Sequence, residues 1–385
     1  MKTLFLSGTW VLIILAACQS KQNRDAEGLA VTSSTEERHQ LKLGYAQKLD
    51  IGYQQDIVKV IIREPYKGAM EGLTYYLVPA GLSVPDSLQH ETVIRTPVNR
   101  FVCTSTTHLP ALDLLDAADR LVGFPSLQFV SSPAVRARAD AGHIAELGKD
   151  LNLNTEQVLN VAPEVLMTFT MDGNYKHLAP VKKSGVNIIV NADYLENTPL
   201  GRAEWIKLFG LLFHKEKEAD SVFNQIVANY QRVQDLARGS DKRPSVFCGI
   251  DYQGVWYMPG GSSWMGKYLK DAGTSYFWST DPGTGSIELS FETVYDSAWQ
   301  ADFWINAHSF ESLEHLGETD DRYKRFRAFQ NGSVYNSNAR MTAQGGNDYY
   351  ESGIARPDVI LKDLVKIFHP DLLPDHELYF FQKLE

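Results

Sequence analysis

Cysteine is scarce, with three residues in 385 and no C-x-x-C pair among them, so thiol redox and thiolate-metal motifs are missing. No H-E-x-x-H or G-x-S-x-G segment occurs. The ten histidines are scattered, without the i, i+4 pairing of a helical zinc site. The chain therefore offers no recognisable set of nucleophile, general base and metal ligand. Basic clusters are also lacking. A formal net charge of −10 argues against nucleic-acid binding, which needs Lys and Arg against phosphates. Past the N-terminus there is no run of about 20 apolar residues, so nothing in the body of the chain is expected to span a membrane. What remains is an ordinary globular composition, 44% hydrophobic and 11% aromatic, long enough for two domains with a core each.

The N-terminus is distinctive. Lys2 precedes an apolar run from Leu4 to Ala17 that ends Leu15-Ala16-Ala17-Cys18. A charged start, an apolar centre and small residues before a cleavage point form an export signal. The Leu-Ala-Ala-Cys ending resembles a lipobox, which implies a signal peptide over 1–17 and a diacylglycerol on Cys18. Residues 18–45 then read as a lipidated tether, polar and poor in hydrophobic residues. Cys103 and Cys248 sit in matching places, Arg100-Phe101-Val102-Cys103 and Ser245-Val246-Phe247-Cys248, each an apolar strand opening a lobe, and both are expected to be buried free thiols.

Periodicity divides the rest. Alternating segments over 46–98 predict a small antiparallel β addition. Residues 99–198 and 241–385 each alternate strand-like and helix-like segments, the pattern of parallel sheets covered by helices. Between them, 199–240 carries apolar residues every three or four positions. It predicts a short helix and then a long one from Glu216 to Arg238, about 34 Å at roughly 1.5 Å per residue. Thr198-Pro199 supplies a cap and a first-turn proline, and Gly239 closes the helix. The fold class expected is α/β: two Rossmann-like lobes with mainly parallel sheets, joined by a single long helix.

Several segments in this order resemble one family. They are the lipobox, the start Cys103-Thr104-Ser105-Thr106-Thr107, the stretch Glu-Gln-Val-Leu-Asn-Val-Ala-Pro-Glu-Val-Leu at 156–166, and Pro-Leu-Gly-Arg-Ala-Glu-Trp-Ile-Lys at 199–207. Together they resemble the substrate-binding lipoproteins of ABC importers for ferric siderophores, haem and vitamin B12, in a Bacteroidetes-like variety. The resemblance implies two lobes on one long helix and no enzymatic activity. It also implies an iron chelate, haem or corrinoid as ligand, and an ABC permease with its ATPase subunits as partner. No cofactor is implied beyond a ligand that is itself a metal chelate. The location implied is the bacterial cell envelope, periplasmic and anchored to the membrane through the lipid on Cys18. By the same resemblance Glu156 and Glu292, one on each lobe, dock on permease arginines. Asn154 and Ser290 also make both glutamates natural first-turn residues of helices. An enzyme or cofactor-handling lipoprotein on this scaffold stays open as an alternative, as does a surface sensor or adhesion lipoprotein.

The candidate ligand residues lie in loops after strands, where open parallel sheets bind ligands. Thr104, Ser105 and Thr106 offer hydroxyls on the first lobe, for a ligand or for capping the next helix. On the second lobe the Gly- and Ser-rich run 254–264 places Trp256, Tyr257 and Trp264 as apolar faces with polar tips. The run 340–350 adds Arg340, whose fork suits oxygen anions, together with Asn347 and Tyr349. Gly261 to Lys267 mimics a phosphate loop, but Tyr268 stands where the metal-binding hydroxyl belongs, so it reads as a turn into a helix. His108 is read as a metal or haem ligand, or else as a cap or cleft-wall residue.

Overall fold

The computed structural model describes residues 39–149 and 152–385; the lipobox and Cys18 lie outside them. The N-terminal addition is a four-stranded sheet of Leu49–Gln54, Ile57–Ile62, Leu73–Pro79 and Val93–Thr96. Alternation along the second strand turns Val58, Val60 and Ile62 inward, as half-buried strands do. The first three strands pair antiparallel, but the fourth runs parallel to the third. This corrects the wholly antiparallel expectation. The segment 80–92, with one helical turn at Asp86–Leu88, carries the chain back to the end where the third strand began.

Both lobes contain the parallel sheets expected. In the first, the order is Asn187–Val190, Val165–Thr168, Phe101–Cys103, Leu121–Phe124 and Ala145–Glu146, all parallel. In the second, Ser275–Tyr276, Ser245–Cys248, Phe303–Ile305 and Val334–Asn336 are parallel, and Gln382–Lys383 closes one edge antiparallel. A separate antiparallel sheet of Asp251–Tyr252, Val255–Pro259 and Ser286–Leu289 lies beside it. Cys103 and Cys248 end the first strand of each lobe, buried and unbridged. Burial raises both thiols above their ordinary range, so they behave as small apolar side chains.

The long helix is one unbroken segment, Glu216–Arg238. It is preceded by Pro199–Ala203, capped by the Thr198 hydroxyl on Gly201 N at 3.0 Å, and by Ile206–Phe213. Its first half packs Ala219 and Phe223 into the core that holds Phe101, Leu208 and Leu212. Its second half packs Ile226, Tyr230, Val233 and Ala237 into the core that holds Val246, Leu269 and Leu364. One helix thus contributes to both hydrophobic cores, as its 3.6-residue period requires.

Residues 39–45 are not part of a free tether. Leu41 is buried. The amides of Gly44, Tyr45 and Ala46 donate to the Glu204 carboxylate at 2.7–3.1 Å. Those of Gln47 and Lys48 donate to Glu196 at 2.9–3.0 Å. Lys207, itself buried, pairs with Glu204 at 3.0 Å and donates to the Lys42 carbonyl. Such buried carboxylates persist because each of their oxygens meets a donor. Residues 39–45 therefore belong to the folded part and not to the tether expected over 18–45. Sequence patterning gives no hint of this strap, because its partners are backbone amides.

Candidate binding cleft

In parallel sheets the carboxyl ends of the strands all face one way, and each lobe carries a cavity there. On the first lobe a cavity of about 270 Å³ is lined by Thr104, Ser105 and Thr106 with Phe124, Phe129 and Phe169. On the second, a cavity of about 630 Å³ lies among Tyr252, Tyr257, Asn306, His308, Asn347 and Tyr350. The two are neighbours. Gly346 packs against the Phe129 carbonyl so closely that any side chain there would overlap it. Phe129 lines one cavity, and Asn347, next to Gly346, lines the other. Only glycine permits that approach of one lobe to the other.

All three predicted hydroxyl residues of the first lobe reach the cavity wall. Thr104 donates to Thr168 Oγ1 at 3.0 Å, and Ser105 caps the turn Thr106–His108 through Thr107 N. Their predicted companions on the second lobe divide by parity. Tyr257 is 44% exposed and faces the cavity, whereas Trp256 is 0% exposed. Both lie on the strand Val255–Pro259, where successive side chains point to opposite faces. Trp256 is thus corrected from cleft wall to lobe core. There its ring lies 5.8 Å from Trp304 and 6.0 Å from Phe247, and its indole donates to the Cys248 carbonyl at 2.8 Å.

The loop 340–350 is corrected in the same way. Tyr349 is 1% exposed and packs on Phe380 and Phe381, while Tyr350 beside it is 53% exposed and lines the cavity. Arg340 is engaged within its own loop, with Nε 2.8 Å from Asp348 and its guanidinium 4.3 Å over the Tyr379 ring. It lines neither cavity. Asn347 does, although its amide donates to the Ser337 carbonyl at 2.9 Å and its oxygen accepts from Tyr349 N. Trp264 opens the helix Trp264–Asp271, stacks near Tyr268 and Tyr349 and lies under the Arg202 guanidinium. It too belongs to packing rather than to the cavity wall. His108 is buried, and burial lowers its imidazole to about 3, so it stays neutral inside the first lobe.

Sequence reasoning missed Phe129, Phe169, Tyr252, Asn306, His308 and Tyr350. Phe169 and Asn306 immediately follow strands, which is a usable cue. Asn306 and His308 hold φ of 55° and 60°, left-handed values that no pattern announces.

Glu156 and Glu292 occupy matching places. Each is exposed in the first turn of a helix, Thr155–Asn160 or Phe291–Ala298. The caps are Asn154 and Ser290, as expected. Both helices lead into a central strand of their sheet and so begin on the side where the strands end. Glu292 also sits 3.9 Å from Arg322, an exposed contact worth little.

A polar contact fastens the two lobes to each other. The Glu351 carboxylate accepts from Ser131 N at 2.8 Å and Ser132 N at 2.7 Å, and Ser132 Oγ donates to Asp113 at 2.8 Å. Burial raises the Glu351 carboxyl to about 7, against the two amides that favour its anion; Asp348 and Asp113 push it further up. A carboxyl raised in the folded state supplies stability that is complete below its unfolded value and lost as pH rises through about 7. The stability of the fold should therefore fall from pH 5 to pH 8, by at most about 3 kcal/mol. Thermal midpoints of the wild type should fall over that interval more than those of Glu351→Gln. Parallel curves for the two proteins would show that Glu351 does not titrate there.

The model of the periplasmic binding protein family matches residues 101–340, more than half of the chain. An uncharacterized lipoprotein of Methanocaldococcus jannaschii is 27% identical over 301 residues, covering 76% of this chain and 70% of its own. Among solved structures, a periplasmic binding protein from Veillonella parvula superposes with a TM-score of 0.60 at 15% identity. It covers 86% of this chain and 98% of that one. The haem-binding protein RhuT from Roseiflexus sp. RS-1 gives 0.53 at 16% identity, over 71% of this chain and 99% of that one. Helicobacter pylori CeuE with Ni(II) bound gives 0.55 at 17%, over 74% and 88%. The two lobes, the joining helix and the family match agree, and the chain belongs to the periplasmic binding protein family, a binding protein rather than an enzyme.

Proposed function

We propose that the protein is a lipid-anchored receptor that captures a metal chelate, an iron siderophore, haem or corrinoid, and delivers it to an ABC permease. The observation that carries this reading is the pair of adjoining cavities at the carboxyl ends of both sheets. Three tyrosine rings, of Tyr252, Tyr257 and Tyr350, stand 44–58% exposed there. Free monomers seldom leave so many rings uncovered in one concavity without a ligand to cover them. The similarity to a haem-binding protein and to a binding protein with Ni(II) bound supports a metal-containing ligand. Lipoprotein relatives support anchorage at Cys18 in the cell envelope. Among the described residues no helix is long and apolar enough to cross a membrane. Glu156 and Glu292 supply the docking points on the permease.

Protein purified from its native envelope should carry a coloured ligand in one-to-one ratio by native mass spectrometry and visible absorption. The double variant Tyr257→Ala/Tyr350→Ala should lose affinity for that ligand by roughly 10- to 100-fold while keeping its fold, since both rings are exposed. An unchanged affinity would remove the second-lobe cavity from the binding site.

A further inference from the structure

Among the described residues, neither cavity is lined by a single Asp, Glu, Lys or Arg. On the first lobe the polar atoms are hydroxyls, and aromatic rings make up much of the rest. On the second they are side-chain amides, hydroxyls, phenols and one histidine, His308, whose Nδ1 already faces Ser309 Oγ at 2.9 Å. Asn306 Oδ1 accepts from Ser337 N, which leaves its Nδ2 without a protein partner among the described residues. The phenol oxygens of Tyr252 and Tyr257 are likewise without one. These groups can donate to or accept from a neutral amide or hydroxyl, but none of them carries the permanent positive charge of a Lys or Arg.

The charges flanking the contact between the lobes do not correct this. Arg340 is paired with Asp348, and Arg356 with Asp358 at 2.9 Å. Against them Asp113 and Glu351 carry no basic partner, being held by hydroxyl and amide donors. The two arginines therefore offer an entering anion no free cation. An anion entering would exchange water for neutral dipoles and face acids, whereas a neutral amide would exchange one set of hydrogen bonds for another.

We propose that the cleft selects an uncharged or cationic chelate whose fringe carries amides or hydroxyls, and rejects polyanionic chelates. This rests on the reading of the protein as a chelate receptor and narrows it. The test is calorimetric titration of the purified full chain at one pH and salt. The uncharged probes are cyanocobalamin and a neutral ferric trishydroxamate. The anionic probes are haem, with its two carboxylates, and a ferric triscatecholate.

At least one uncharged probe should bind, and both anionic probes should bind at least roughly 100-fold more weakly than it. Ser309→Arg places a cation at the exposed rim of the second cavity. It should raise the affinity of an anionic probe about tenfold or more relative to its effect on an uncharged one. Tighter or equal binding of haem or the triscatecholate by the wild type overturns the selectivity while leaving the receptor reading intact. So does a Ser309→Arg variant with no gain for anions. If no probe of either kind binds, the chelate reading itself falls, and the selectivity falls with it.

Discussion

Arginine at both Glu156 and Glu292 is expected to abolish uptake of the ligand by cells while leaving the affinity of the purified protein within about twofold. The two side chains are exposed, and neither lines a cavity, so ligand contacts survive their replacement. Their helices keep their caps, Asn154 on Gln157 N at 3.1 Å and Ser290 on Thr293 N at 3.2 Å. The local structural cost is a basic side chain in a first turn, about 0.3–1 kcal/mol per site. The proposed docking, by contrast, needs a carboxylate on each lobe at once, because two anchors fix the register of a two-lobed body on its partner. Reversal converts attraction into like-charge contact at both anchors, and the loss should exceed that of the neutral double variant Glu156→Gln/Glu292→Gln. Transport of labelled ligand into cells carrying each variant measures this. Normal transport by the double arginine variant would end the docking assignment.

How much of this was legible follows from which interactions are local. The strands Phe101–Cys103, Val165–Thr168 and Asn187–Val190, and the helix Glu216–Arg238, declare themselves through hydrophobic period alone. The caps at Asn154, Thr198 and Ser290 are local as well, and each was visible as a residue type before an apolar run. The site was legible only to the level of the loop. Runs 254–264 and 340–350 do reach the second cavity, yet 255–259 is a strand where a loop was expected, and only some of the predicted rings face the cavity. Tyr350 faces it where Tyr349 was expected, and Tyr257 does so alone of the three rings expected. Composition cannot resolve a one-residue choice that strand register or a helical turn decides. Long-range polar contacts were invisible. Glu351 meets Ser131 and Ser132 across about 220 positions of chain, and Glu204 meets Gly44 across 160. Arg340 showed the opposite failure. A residue type suited to anion recognition was identified, but its local partner Asp348, eight positions on, already occupies it.

Replacing Trp256 with alanine is expected to destabilise the protein by about 3–5 kcal/mol while leaving ligand affinity within a few-fold. The ring is fully buried, with Phe291, Trp304, Tyr323 and Phe326 at centroid distances of 5.8–6.2 Å. Removing it opens a void that these large rings cannot close without leaving their own contacts. It also takes away the indole donor to the Cys248 carbonyl at 2.8 Å. The drop in thermal midpoint should be on the order of 10 °C. Tyr257, one residue along the same strand, should behave in the opposite way. Its exposed ring contributes little to the core, so Tyr257→Ala should cost under about 1 kcal/mol of stability and show its effect in binding. Thermal melts and ligand titrations of the two single variants therefore form a crossed pair, decided by strand parity alone. If Trp256→Ala kept its thermal midpoint and lost affinity, the indole would have to face the ligand, and the register Asp251 to Trp256 and Trp256 to Leu289 would be wrong.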